Sequence, residues 1–157
     1  MNFYMIDKKY LEYLRQFEPH IYFSDGDKEN RKFVGVLFEI GEIKYYAPLT
    51  SQVEKKYNTD FHIYYNDKII ANIKLNNMIP VIDDSLIKLY NYKIYKNDND
   101  KEIKYKVLLK KEMKYINNNI VRLNKMVKKI YDGKIKNPTI FNFAFLEEKA
   151  KEYINIL

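Results

Sequence analysis

The chain contains no cysteine, only two histidines and only four glycines among its 157 residues. Without cysteine it can form no disulfide, no thiolate zinc site and no cysteine nucleophile. Two distant histidines do not supply the three or four ligands that zinc takes in proteins without the help of several carboxylates. No pair of glycines has the spacing of a phosphate loop or a dinucleotide fingerprint. We therefore expect neither a metal nor a cofactor.

Long apolar segments are also missing. The polar start of the chain lacks the apolar core of a signal peptide, and no run of residues is long enough to span a membrane. A cytoplasmic protein without membrane contact is the default expectation. The length and a hydrophobic fraction of 46% predict one compact domain over residues 1–157.

Positive charge is what the chain has in excess, with a formal net charge of +7 and a pI near 9.2. Residues 88–136 carry 15 basic and 5 acidic side chains, a surplus larger than the net charge of the whole chain. Clustered lysines gain affinity for polyanions because binding releases counterions from a phosphate backbone. The charge therefore favours a polyanionic partner, although by itself it does not distinguish RNA, DNA and an anionic membrane.

The start of the chain predicts a short helix and then a loop. Asp7 can cap a helix whose apolar side chains recur at three- and four-residue spacing until Pro19 stops it. Residues 20–31 lose this periodicity and predict a polar surface loop.

The following stretch predicts strands, namely residues 33–40, 43–47, 61–65, 68–73 and 78–82. The first two form one hairpin, with a bend or bulge at Gly35. The next two form a second hairpin around the turn signal Asn66-Asp67. The last segment predicts an edge or irregular strand, because Pro80 cannot donate a ladder hydrogen bond.

The second half of the chain predicts helices. Asp83, Asp84 and Ser85 offer caps for a short helix that runs through Tyr90. A long helix is predicted from a strict four-three stripe that ends before Gly133, formed by Leu109, Met113, Ile116, Ile120, Leu123, Val127 and Ile130. Asn142 can cap a last helix. A sheet followed by helices predicts the α+β class.

The segment Tyr46-Ala47-Pro48-Leu49-Thr50-Ser51, followed by Lys55 and Lys56, places two hydroxyls and nearby cations at one strand end. This grouping suits phosphate chemistry on RNA. Together with Phe3-Tyr4, with the segment from Asn77 to Val81 and with the segment from Asn142 to Lys149, it resembles the endoribonuclease toxins of type III toxin-antitoxin systems, the ToxN/AbiQ-like family. The resemblance covers nearly the whole chain in the same order.

This resemblance implies a strongly bent antiparallel sheet, similar to a small barrel, with packed helices. It implies a metal-independent, sequence-preferring endoribonuclease that leaves 2′,3′-cyclic phosphate and 5′-hydroxyl ends on cellular or phage RNA. It further implies a small structured antitoxin RNA as inhibitor, an RNA-bridged assembly with several toxin copies, and a role in phage defence by abortive infection.

The resemblance also implies site residues. Thr50 and Ser51 match the family pattern directly. Val53 stands where the family has a lysine. An insertion of one or two residues would bring Lys55 into that position. Lys56 is the alternative. Arg31 matches only as a basic residue before the first long strand, and the expected upstream tyrosine is missing unless Tyr22 serves. Taken without the resemblance, the Thr-Ser pair is also typical of a turn or a helix cap.

His62 is a further candidate, as a general acid or base. Strand alternation places it on the face opposite to its neighbours Phe61 and Ile63. A packed or solvent-facing histidine is the plainer alternative, and His20 in the loop is a weaker candidate still.

The lysine-rich helix predicts an RNA-binding face. Its candidate RNA contacts are Lys110, Lys111, Lys114, Asn118, Arg122, Lys125 and Lys129, and Lys56 after the Thr-Ser pair is a further candidate. An ordinary solvated helix face is the alternative. Two rival functions use the same charge: a non-catalytic RNA-binding protein and a protein of anionic membrane surfaces.

Overall fold

A computed structural model of the chain describes residues 1–22 and 31–157. Most of the polar loop predicted over residues 20–31 lies outside these residues. The described strands are β1 Asn2–Ile6, β2 Phe33–Gly35, β3 Glu39–Ile40, β4 Ile43–Thr50, β5 Asp60–Tyr65, β6 Lys68–Lys74, β7 Ile79–Val81 and β8 Ile87–Leu89. The described helices are α1 Lys8–Arg15, α2 Asp100–Asn118, α3 Ile120–Tyr131 and α4 Phe143–Ile156.

The strands form one antiparallel sheet in the order β5-β6-β4-β2-β1-β8, and β3 and β7 also pair with β4. Strand β4 is central because it changes partners along its length. Its first half pairs with β3 and β7, and its second half pairs with β2 and β6. The α+β class predicted from the sequence is confirmed. Within the described chain, no helix is both long and apolar enough to cross a membrane.

Both predicted hairpins are present. Asn66 and Asp67 have φ angles of 49° and 62°, which join β5 to β6 in a tight turn of the kind that favours these residues. The predicted strand 33–40 is two short strands, and the first ends at Gly35. A Cβ atom at Gly35 would lie 2.3 Å from Cδ1 of Tyr46, so a glycine is needed for this close approach. Pro80 lies in β7, for which β4 is the sheet partner, as predicted for an edge strand.

The prediction of a short helix through Leu86, Leu89 and Tyr90 is wrong. Asp83 accepts a hydrogen bond from Ser85 N at 2.9 Å, but the cap supports only a 3₁₀ turn, Asp84–Leu86. The chain then extends as β8 and pairs with β1. Pairing with the open edge of β1 satisfies the backbone of β8, and it overrides the local helix signals.

The prediction of a single long helix is also wrong, because the chain forms two helices, α2 and α3, with a break at Asn119. The Asn119 side chain donates to the carbonyl of Tyr115 at 2.8 Å and competes with the backbone ladder. The predicted apolar stripe is otherwise buried on both helices, and Ile120 at the break is half-buried. Gly133 follows α3 with a φ of 75°, as predicted for a helix end.

The helices are capped as predicted and tied to the sheet by polar contacts. Asp7 caps α1, and Asn142 caps α4. Tyr45 of β4 and Tyr131 of α3 both donate from their hydroxyls to one carboxylate oxygen of Glu147 on α4, the second at 2.7 Å. Burial and the Glu147 carboxylate raise the pKa of Tyr45 well above its usual range, and they raise the pKa of Tyr131 to about 12. We call these three residues the tyrosine–carboxylate cluster.

Candidate active site and RNA-contacting surface

An open cleft of about 820 Å³ lies beside the end of β4. Its lining combines polar, aromatic and charged side chains: Glu18, His20, Tyr22, Thr50, Gln52, Glu54, Lys55, Tyr57, Lys74, Asn76, Asn77, Pro138, Thr139, Ile140 and Phe141. The structure thus brings two predicted site residues, Thr50 and Lys55, into one cleft. Ser51 is the exposed neighbour of Thr50 and does not line the cleft.

The Thr50 hydroxyl is held locally but keeps its proton available. Its oxygen accepts a hydrogen bond from Gln52 N at 3.1 Å, which forms a small turn after β4. The turn interpretation of the Thr-Ser pair is therefore correct as local structure. The hydroxyl hydrogen is still free to be donated, since the bond to Gln52 uses only a lone pair of the oxygen.

Three side chains form a row across neighbouring strands. Thr50 of β4 lies opposite Asn72 of β6, and Asn72 lies opposite His62 of β5. Directly opposed residues share a face of the sheet, so Thr50 and His62 lie on one face, with Cα atoms about two strand spacings, roughly 10 Å, apart. Phe61 and Ile63 are fully buried while His62 is half-buried, which confirms the predicted alternation.

Asn72 determines which nitrogen of the His62 ring carries a hydrogen. The Asn72 side-chain nitrogen donates to the carbonyl of Gln52 at 3.2 Å, so its oxygen is the atom that faces Nδ1 of His62 at 2.6 Å. That oxygen is an acceptor, and Nδ1 must therefore carry a hydrogen. Neutral His62 then presents Nε2 as an open lone pair, which is the form that a general base requires.

Arg31 lies next to this row. Phe33 is paired with Pro48, and Leu49 N donates to the carbonyl of Lys32 at 3.0 Å, so the same register brings residue 31 beside Thr50. The Arg31 guanidinium stacks on the ring of Tyr22, 3.8 Å from its centroid, and burial lowers its pKa. Tyr22 also lines the cleft.

The remaining strand-end lysines differ in position. Lys55 is exposed and lines the cleft, whereas Lys56 is exposed outside it. Of the two candidates, Lys55 is thus the one beside Thr50.

Sequence reasoning missed two cleft residues of β6 and the segment after it. Lys74 pairs with the buried Asp60 at 2.7 Å, and its Nζ lies 4.4 Å from the ring centroid of Tyr57. Asn77, in the 3₁₀ turn Leu75–Asn77, is nine-tenths buried at the cleft. The signal for Lys74 was available, since alternation in the second hairpin puts Lys74 on the face of Asn72 and His62.

The predicted RNA-binding side chains of the helices are mostly exposed, as expected: Lys110, Lys114 and Asn118 on α2, and Arg122, Lys125 and Lys129 on α3. The break at Asn119 divides them between two helices. Lys111 is half-buried, with Nζ 4.2 Å from the Tyr65 ring centroid, and Arg122 donates to the Tyr115 hydroxyl at 3.0 Å. Because α2 packs on β5, this basic surface adjoins the strand that carries His62.

Within residues 1–22 and 31–157, no group of three or more histidine, aspartate or glutamate side chains is arranged to hold a metal ion. Two aspartates that have another aspartate close by in the chain form ion pairs with lysines. Asp84 pairs with Lys44 at 3.0 Å and Asp98 pairs with Lys106 at 2.7 Å.

Known proteins are similar to this chain in sequence over almost its entire length. The family described as "Toxin ToxN, type III toxin-antitoxin system" matches residues 2–151. The endoribonuclease ToxN of Pectobacterium atrosepticum is 31% identical, over 98% of this chain and 94% of that protein. The endoribonuclease ToxN of Bacillus thuringiensis subsp. kurstaki is 29% identical, over 97% of this chain and 84% of that protein.

Solved structures share the fold. A chain from work on selective toxin inhibition by a non-coding RNA pseudoknot in type III systems superposes with a TM-score of 0.83 at 28% identity, covering 98% of this chain and 99% of that one. A chain from work on a processed non-coding RNA that regulates a bacterial antiviral system gives 0.77 at 28% identity, over 97% and 98%. AbiQ, a lactococcal anti-phage endoribonuclease, gives 0.80 at 19% identity, over 98% of both chains, and supports the fold alone.

Fold, cleft and sequence matches together define an endoribonuclease toxin. The chain belongs to the ToxN toxin family of type III toxin-antitoxin systems. The family resemblance seen in the sequence is thereby confirmed.

Proposed function

We propose that the protein cleaves single-stranded RNA without a metal ion, by attack of a ribose 2′-OH on the adjacent phosphate. A bond forms between the 2′-oxygen and phosphorus, the bond from phosphorus to the 5′-oxygen breaks, and the products are a 2′,3′-cyclic phosphate and a 5′-hydroxyl. The observation that carries this proposal is the row of Thr50, Asn72 and His62 across three strands beside the cleft.

The chain supplies a side chain for every step except the protonation of the departing 5′-oxygen, which water performs. Thr50 inside the cleft and its exposed neighbour Ser51 donate hydrogen bonds to the scissile phosphate from two sides. Lys55 and Arg31 stabilise the negative charge that grows on the phosphate oxygens. Nε2 of His62 takes the proton of the 2′-OH, and water in the open cleft returns a proton to the departing 5′-oxygen. Asn72 is a positioning residue, because it fixes the His62 ring and ties it to the segment after β4.

Cleavage in EDTA tests the chemistry. Purified wild-type protein and the Ser51→Ala and Thr50→Ala variants are incubated with total RNA, and the fragment ends are analysed. We expect discrete cuts with cyclic-phosphate ends from the wild type and intact RNA from both variants. Intact RNA from folded, RNA-free wild-type protein would instead favour a protein that binds RNA without cutting it, and full activity of both variants would remove Thr50 and Ser51 from the site.

Single-turnover cleavage rates test His62 and Asn72. We expect His62→Gln to lower the rate by about 100-fold or more, and Asn72→Ala to lower it less, because the His62 ring then keeps Nε2 but loses the partner that orients it. Asn72→Ser, which is smaller but keeps a hydroxyl acceptor for Nδ1, should recover part of the loss. Rates close to the wild-type value in all three variants would assign the base to another group.

We also propose that a small structured antitoxin RNA inhibits this protein. The RNA would lie on the basic surface of α2 and α3, enter the cleft and bridge several toxin copies, and the free toxin would act on cellular or phage RNA in the cytoplasm as a phage defence. The RNA-centred descriptions of the structural relatives and the exposed lysines of both helices support this. One domain, residues 1–157, would carry all of these roles.

Co-expression tests the inhibitor. Ser51→Ala protein, produced together with a candidate antitoxin RNA, should copurify with a discrete small RNA, and light scattering should give a mass of more than one toxin copy. Copurification of unselected RNA fragments would contradict a dedicated antitoxin. A mass of one protein and one RNA would contradict bridging.

A further inference from the structure

Asn77 lies at a place in the cleft where a polar side chain has no structural task. The residue is 9% exposed, and its carboxamide makes no hydrogen bond to any residue that the structure describes. Asn77 lines the cleft, and neither carboxamide atom is among the fully enclosed polar atoms of the described chain, so the group is neither satisfied by the protein nor sealed away from a ligand. Such a group in a nearly buried position calls for a partner from outside the chain.

Its neighbour Asn76 is tied to the protein through its side-chain nitrogen, while its side-chain oxygen is enclosed without a hydrogen-bond partner among the described residues. The Asn76 side-chain nitrogen donates to the Thr139 hydroxyl at 2.9 Å, and that hydroxyl donates to the Asn137 side-chain oxygen at 2.6 Å. Backbone bonds hold the same turn from two sides, since Leu75 N donates to the carbonyl of Thr59 and Phe141 N donates to the carbonyl of Asn76. Asn76 thus anchors the turn, and the anchored turn presents Asn77 at a fixed place.

The surroundings indicate the class of ligand. Asn77 shares the cleft with Thr50 and Lys55 and with the aromatic rings of Tyr22, Tyr57 and Phe141. A phosphate would use only the donor of the carboxamide and leave its oxygen unpaired. The edge of a nucleobase presents a donor beside an acceptor and matches both atoms, and aromatic side chains are the usual partners of unstacked bases in single-stranded RNA.

We propose that Asn77 reads the hydrogen-bonding edge of an unpaired base next to the scissile phosphate and so sets the sequence preference of cleavage at one position. This inference rests on the proposed function, because it takes the phosphate to lie at Thr50. It gives the segment Asn77-Met78-Ile79-Pro80-Val81 two separable tasks. Met78 to Val81 are buried in the core and in β7, whereas Asn77 lines the cleft.

The test is cleavage of an RNA pool with randomised sequence by the wild type and by Asn77→Asp and Asn77→Leu. Asp keeps the size and the acceptor but loses the donor, and Leu loses both. Sequencing of the new 5′ ends gives a base preference at each position within one pool, independent of the overall rate. Asn155→Asp, an exposed substitution on α4, is the matched control, and thermal unfolding verifies that each variant is folded.

We expect the wild type to favour particular bases at one position beside the cut, by roughly 5- to 150-fold, the range of a good bidentate contact. Asn77→Asp should change that preference and Asn77→Leu should remove it, while neighbouring positions, cyclic-phosphate ends and the Asn155→Asp profile stay as in the wild type. Unchanged preferences in both folded Asn77 variants would overturn the inference and leave the proposed chemistry standing. Absence of cyclic-phosphate ends from wild-type protein would instead overturn the proposed function, and this inference with it.

Discussion

The cleft and the tyrosine–carboxylate cluster both contain polar side chains, but the two regions differ in whether these side chains have hydrogen-bond partners inside the protein. In the cluster, Tyr45 and Tyr131 direct their hydroxyls at one oxygen of Glu147, and each hydroxyl has its partner inside the protein. In the cleft, Asn77 and Lys55 have no hydrogen bond to the described residues. Polar groups that bind one another hold the fold, whereas polar groups left open are available for a substrate.

Of the substitutions that distinguish the two regions, Thr50→Ala should have the largest effect, and that effect should be on activity. Thr50→Ala should lower the cleavage rate by about 100-fold or more, because hydrogen bonds to a developing charge are worth that much in a transition state. Its thermal unfolding should stay close to that of the wild type, since Thr50 is only half-buried. Single-turnover cleavage and a melting curve check this, and a variant that loses stability as well would place Thr50 among the residues that hold the fold.

The opposite result is expected for the cluster. Glu147→Ala leaves the buried Tyr45 hydroxyl without its acceptor and should lower the free energy of unfolding by about 2–4 kcal/mol. Cleavage per folded molecule should stay close to the wild-type value. Urea denaturation measures the loss, and the exposed neighbour in Glu148→Ala is the control, with less than about 0.5 kcal/mol expected. An active-site defect in folded Glu147→Ala protein would contradict the separation.

Glu112 sharpens the comparison, because it is a buried polar group that lies outside the cleft. It is 2% exposed on α2, its Oε2 has no hydrogen-bond partner in the described chain, and burial raises its pKa to about 7. The folded state therefore holds this proton up to a higher pH than the unfolded state, and stability should fall as the pH rises from about 4.5 to 7.

Glu112→Gln should remove that fall. We expect little difference from the wild type at pH 5 and a more stable variant at pH 8, by up to about 3 kcal/mol. Urea denaturation at both pH values measures the difference, and the sequence preference of cleavage should not change. A variant that is less stable at pH 8 would mean that the charged carboxylate has a stabilising partner.

The smallest effect is expected on the helix surface. Lys125→Gln with Lys129→Gln should weaken binding of the antitoxin RNA modestly and reduce the salt dependence of log K by roughly 0.7–0.9 for each phosphate that these lysines neutralise. Cleavage of a short oligonucleotide that fills only the cleft should not change. Filter binding at several salt concentrations checks this, with the exposed Lys151→Gln of α4 as control. An unchanged salt dependence would assign these lysines to an ordinary solvated face.

Sequence patterns predicted most of the fold where local signals and tertiary packing agree. The Asn66-Asp67 turn, the Asp7 and Asn142 caps and Gly133 needed only local chemistry. The patterns failed where distant contacts decide. Strand β8 exists because β1 offers an open edge, and the break at Asn119 depends on a side chain that competes with its own helix.

The candidate site was predictable to a lesser extent. Thr50 and Lys55 are candidates because of their positions along the chain, and in the structure both line one cleft. The partnership of Asn72 with His62 and Gln52, and the open carboxamide of Asn77, depend on three strands and a turn meeting in space. No spacing along the chain encodes which of two adjacent asparagines is tied to Thr139 and which is left free.

The proposed chemistry depends most directly on the ribose 2′-OH as nucleophile. The decisive measurement is single-turnover cleavage of a short RNA that contains one preferred site, compared with the same RNA carrying a 2′-deoxy sugar on the 5′ side of the cut. We predict complete loss of cleavage at that site, with competition experiments showing that the modified RNA still binds. Cleavage of the 2′-deoxy RNA at the same bond would contradict the proposed chemistry, because no cyclic phosphate can then form.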